Sequence, residues 1–182
     1  MKGIVFTEFL DMVEKEFGYE VVDKIIEAST LESGGVYTAV GTYHHSEVVQ
    51  LLTNLSLETK TEADVLLKKF GEYLFDTFLA QYPQFFEAHD RAFDFLESID
   101  SHIHVEVKKL YPAATLPRFD TSVNEEGQMV MIYQSERKMG SLALGLIEKS
   151  MNHYKEDSTV EVNLLNEEGT EVQFVITLAQ YE

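Results

Sequence analysis

Tyr133, Ser135 and Arg137 stand two apart in the run Tyr133-Gln134-Ser135-Glu136-Arg137, directly after the apolar, β-prone stretch Met129-Val130-Met131-Ile132. In an extended strand, side chains two apart share a face, so a phenol, a hydroxyl and a guanidinium are expected to project together. Two O–H groups and a five-donor cationic fork suit a pair of carboxylates or a phosphate. Arginine adds bidentate geometry where lysine would offer only a point charge. A half-buried strand with a polar outer face gives the same alternation without any ligand.

The six histidines are the other candidates for chemistry. His44 and His45 are adjacent in a polar stretch and are expected to point apart. His89 and His153 sit among charged neighbours and read as surface residues. His102 and His104 are two apart on a predicted helix, so they cannot both face one ion. The chain contains no cysteine, which excludes disulfides, thiolate ligation of haem, iron–sulfur clusters and cysteine–zinc sites.

His104, the proline thirteen residues later at Pro117, and Tyr-x-Ser-x-Arg at 133–137 resemble the haem–nitric oxide/oxygen binding (H-NOX) family. This is the haem domain related to that of soluble guanylate cyclase. The start Met1-Lys2-Gly3-Ile4-Val5 and the stretch Met139…Gly145-Leu146-Ile147-Glu148 carry the same resemblance, which runs along most of the chain. It implies ferrous haem b, iron protoporphyrin IX, with His104 as axial ligand and His102 as the alternative. Tyr133, Ser135 and Arg137 would hold the propionates, and Pro117 would press on the haem from the proximal side. In oxygen-binding members a distal Tyr, supported by Trp and Asn, donates a hydrogen bond to dioxygen. The matching positions here are Leu142, Phe9 and Leu74, none of which can donate, and Val5 and Leu146 would add apolar walls. Ordinary core packing accounts for the same five residues without a ligand.

The resemblance therefore implies a gas sensor that binds NO, with CO possible and O2 disfavoured. Stand-alone bacterial members commonly regulate histidine kinases or cyclic-di-GMP enzymes. The sequence shows no kinase, cyclase or phosphodiesterase signature, so output in trans and no enzymatic activity are expected. Two other classes compete: a peroxidase-type or NO-consuming haem enzyme, and a haem-free module binding an acidic ligand at Arg137. The apolar distal side lacks the acid–base group that O–O cleavage needs.

Apolar spacing predicts the elements that position these residues. Helices are expected over 2–17, 19–29, 44–57, 61–81, 85–99, 100–111 and 138–154, with loop at 30–43. Thr61-Glu62-Ala63-Asp64 resembles a capping box with Asp in the Glu place. Short strands are expected at 118–124, 128–136, 159–165 and 172–178, the last two joined by a hairpin signal at Asn166–Thr170. The expected class is α+β: a helical N-terminal lobe followed by an antiparallel sheet with one long helix. One domain over 1–182 is expected, with lobes at 1–65 and 66–182.

The composition, 45% hydrophobic with 12% aromatic residues and twelve Phe, suits a domain enclosing an apolar pocket. Net charge is −18, from 32 acidic against 14 basic residues, which disfavours nucleic acid as a partner and leaves a basic protein surface compatible. The N-terminus shows no secretion signal and no apolar run approaches membrane-spanning length, so a cytoplasmic protein is expected.

Overall fold

The computed structural model describes residues 1–179. The first four helices are α1 Gly3–Phe17, α2 Tyr19–Glu27, α3 His45–Thr59 and α4 Ala63–Gln81. Two short helices follow, α5 Pro83–Glu87 and α6 Ala92–Ser98, and then a π turn Ile99–Ile103 leads into α7 His104–Leu110. Strands β1 Arg118–Val123 and β2 Met129–Gln134 precede α8 Gly140–His153, and β3 Ser158–Leu164 and β4 Glu171–Leu178 close the fold. The four strands form one antiparallel sheet in the order β1-β2-β4-β3. The class is α+β, as the change from helical to alternating periodicity predicts.

Two apolar cores form because the helices and the sheet each bury one face. Phe6, Phe9, Met12, Leu51, Leu66, Phe70 and Leu74 belong to the N-terminal core. Phe86, Leu96, Met131, Tyr133, Ile147 and Phe174 belong to the core under the sheet. Phe78 on α4 and Leu146 on α8 pack against both, so these two helices form the seam. They approach closely. A Cβ at Gly71 would lie 2.2 Å from the Leu142 carbonyl oxygen, and one at Gly145 would lie 2.1 Å from that of Lys68.

Three local expectations are corrected. The single helix expected at 85–99 is interrupted between α5 and α6, where the Glu156 carboxylate accepts from Arg91 Nε at 2.9 Å and from the Ala92 amide at 3.0 Å. A distant side chain thus satisfies an amide at the start of α6, and the break is stabilised from outside the local sequence. The helix expected at 100–111 begins instead as the π turn, with α7 starting at His104. The capping box does not form. Glu62 is the N-cap of α4 without a side-chain bond, and Asp64 accepts from Ser141 Oγ at 2.9 Å.

Candidate functional site

The Tyr-x-Ser-x-Arg run does not stay extended, which corrects the picture of three side chains projecting from one strand. β2 ends at Gln134, and the Lys138 amide donates to the Ser135 carbonyl at 3.2 Å, closing a turn. Lys138 completes it in the left-handed region at φ 56°. Tyr133, still on the strand, points inward at 3% exposure, and its hydroxyl oxygen accepts the Met139 amide proton at 3.0 Å. That bond leaves the phenolic proton as a donor. Ser135 Oγ accepts the Arg137 amide at 3.2 Å, and Arg137 Nη2 donates to the Thr115 carbonyl at 2.6 Å.

Ser135 and Arg137 open onto a cleft of about 540 Å³, which Thr115 and Leu116 line from the opposite segment and His44 and His45 line from the start of α3. No carboxylate among the described residues pairs with Arg137. Burial pushes its guanidinium below the ordinary arginine range. A half-buried cation that no carboxylate of the described residues pairs with, facing a cleft whose acidic residues Glu136 and Glu171 leave it unbridged, fits the carboxylate end of a ligand. His44 and His45 do not point apart as expected; their ring centroids lie 4.7 Å from each other. His44 is the extended N-cap of α3 and His45 its first helical residue, and this change of backbone direction brings the rings together.

His104 opens α7 with its ring largely buried against Phe119, the centroids 5.9 Å apart. Its Nδ1 lies 3.3 Å from Asp100 Oδ1, an oxygen that also accepts the Phe119 amide at 3.4 Å. Burial lowers the His104 pKa, against the upward pull of Asp100. A neutral imidazole that donates through Nδ1 leaves the Nε2 lone pair for a metal, and the carboxylate fixes that tautomer. The sequence reading missed Asp100, although the i, i+4 spacing of Asp100 and His104 was a usable signal. His102 is exposed, its ring 6.2 Å from Phe85. Pro117 is half-buried immediately before β1.

The five apolar candidates come together. Phe9 and Leu74 are buried in the N-terminal core, and Val5, Leu142 and Leu146 pack against that core while only partly covered. A buried neutral imidazole, an unpaired cation beside hydroxyl donors, and an apolar wall on the α4–α8 seam form a donor set suited to haem. The fold and this set fit an α+β domain that holds haem.

The chain belongs to the haem-NO-binding family, whose model matches residues 2–162. These H-NOX proteins are haem-binding gas-sensor domains. The Fe(II) unliganded H-NOX protein of K. algicida is similar at 45% identity and TM-score 0.95, over 100% of this chain and 98% of that one. The H-NOX of Shewanella woodyi, bound to IWP-051 in the Fe(II)CO state, is 39% identical with TM-score 0.82, over 98% and 95% of the two chains. An H-NOX protein from S. oneidensis in the Fe(II)NO state, 24% identical, shares the fold at TM-score 0.89 over 99% of this chain and 100% of that one. No curated protein matches.

Proposed function

We propose that this chain acts as a single-domain nitric oxide sensor, holding haem b through His104 and signalling in trans to a separate cytoplasmic protein. The class of partner favoured by the reading is a histidine kinase or a cyclic-di-GMP enzyme. Arg137, Ser135 and Tyr133 would engage the propionates, and Asp100 would orient the His104 ring. Bound haem would supply a ferrous iron with one position open to a diatomic gas. The observation that carries the choice of gas is the grouping of Val5, Phe9, Leu74, Leu142 and Leu146. These side chains are apolar and offer no hydrogen-bond donor. That disfavours dioxygen, whose complex gains from a donor, and leaves NO and CO, which depend on one far less. The same lack of an acid–base group argues against peroxidase chemistry. Among the described residues no helix is long and apolar enough to cross a membrane.

Absorption spectra of the anaerobically purified protein test the reading. A haem band that responds to NO and CO, and is not converted to a stable oxygenated spectrum in air, is expected. Stable retention of dioxygen would overturn NO selectivity. Absence of haem, with binding of small dicarboxylates retained, would favour the haem-free module that the unpaired Arg137 also suits.

A further inference from the structure

The cleft at Arg137 carries more cationic groups than the Tyr-x-Ser-x-Arg motif supplies. His45 enters from the start of α3 and lines the same cleft as Arg137 and Ser135. It is half-buried, and its ring packs against that of His44, which is held by a bond between its Nδ1 and Ser46 Oγ at 2.7 Å. The groups facing His45 are the His44 ring, the Arg137 guanidinium and the Met1 α-ammonium, which donates to the Tyr43 carbonyl at 2.7 Å. Glu136 and Glu171 also line the cleft. Glu136 is exposed, and Glu171 accepts weakly from Gln134 Nε2 at 3.5 Å. Burial first, and then His44, Arg137 and the α-ammonium, lower the His45 pKa.

We propose that His45 is a further residue of the carboxylate cradle, contacting a propionate of the bound cofactor from the start of α3. The inference rests on the cradle reading of Arg137. Three sets of positive or protonatable groups, from α3, from Met1 and from the turn after β2, converge where no carboxylate among the described residues pairs with Arg137. A carboxylate placed there offsets Arg137 and pairs with the His45 ring, opposing the downward pull of burial and of the neighbouring cations. The ring then takes up a proton and donates a charge-assisted bond. Cofactor retention therefore carries a pH dependence that belongs to this residue: the group's pKa rises on loading, so its added hold is present below that raised pKa and lost as pH climbs through it.

The test measures transfer of haem from the holoprotein to an apo-globin acceptor at pH 6.0 and pH 8.5. Wild type should lose haem about threefold to tenfold more slowly at the lower pH, the range expected of one partly screened charge-assisted bond. His45→Gln should abolish that difference, His44→Gln should keep it, and His45→Arg should restore slow loss at both values. Nitrogen-15 histidine resonances of the ferrous CO form give a second readout. The His45 ring should titrate higher with protohaem than with its dimethyl ester, which lacks the carboxylates. An unchanged pH difference in His45→Gln, or equal His45 titration with haem and ester, overturns the proposal. Unchanged haem loss in Arg137→Ala would instead overturn the cradle reading beneath it.

Discussion

The Tyr133 hydroxyl accepts the Met139 amide proton at 3.0 Å, and the two residues belong to different cores. Tyr133 lies in the core under the sheet and Met139 in the N-terminal core. The bond therefore stitches β2 to the start of α8 across the seam. Tyr133→Phe leaves a buried amide without its acceptor, at about 1–3 kcal/mol. A lowered unfolding midpoint, together with faster haem loss, is expected. Unchanged stability would mean that water replaces the phenol.

Arg137→Ala should separate fold stability from cofactor retention. The guanidinium is half-buried, bonded to one backbone carbonyl and paired with no carboxylate among the described residues, so its removal should leave denaturant stability of the haem-free chain unchanged or slightly raised. Haem transfer to an apo-globin should accelerate, by more than in Ser135→Ala, which loses one neutral hydroxyl. Equal transfer rates for Arg137→Ala and wild type would remove the guanidinium from the propionate cradle.

Gly145→Ala should be the most damaging single methyl addition on α8. The added Cβ meets the Lys68 carbonyl oxygen at 2.1 Å and the Glu72 amide nitrogen at 3.0 Å, both backbone atoms that cannot swing aside. A cost of about 1–3 kcal/mol, typical of overpacking, is expected in chemical denaturation. A change under 0.5 kcal/mol would show that α4 and α8 slide apart freely.

How far the sequence reached depends on whether local or distant residues decide each feature. The four-strand sheet and the long helices were legible because their apolar periodicity is strong and local. The 85–99 helix was misread because its interruption depends on Glu156, which meets Arg91 and Ala92 only in the folded chain. The Tyr-x-Ser-x-Arg spacing predicted three side chains on one extended strand, whereas a turn, with Lys138 at positive φ, carries Ser135 and Arg137 to the cleft. His45 was set aside because adjacent residues usually diverge, a rule that fails where an extended N-cap meets the first residue of a helix. Asp100 was available from spacing alone, but its second contact, with the Phe119 amide, was not.

The last prediction concerns how α7 is held. None of its residues, His104 to Leu110, is fully buried, and Val105 and Leu110 are exposed. Its firmest attachments lie at one end: the His104 ring against Phe119, and Asp100 Oδ1 shared between His104 Nδ1 and the Phe119 amide. At the far end Lys2 Nζ lies over the ring of the C-cap Tyr111, 4.4 Å from the centroid, and a bond from His104 Nε2 to haem iron would add the main constraint at the first residue. His104→Gly supplied with free imidazole should retain haem while α7 loses its tether. Asp100→Asn should keep the ligand but weaken the shared contact, because an amide cannot offer the charged acceptor. Backbone amides over 104–110 should then exchange faster with solvent, most in His104→Gly and less in Asp100→Asn, while amides of β2 and β4 stay protected. In an assay with a responsive partner, both variants should move basal output toward the NO-bound level, since a partner reads only a state for which it has different affinity. Wild-type exchange across α7 in imidazole-loaded His104→Gly would show that the helix is held by other contacts and that His104 is not the tether. The same loss of protection in His102→Gly, with His104 intact, would transfer the ligand assignment to His102.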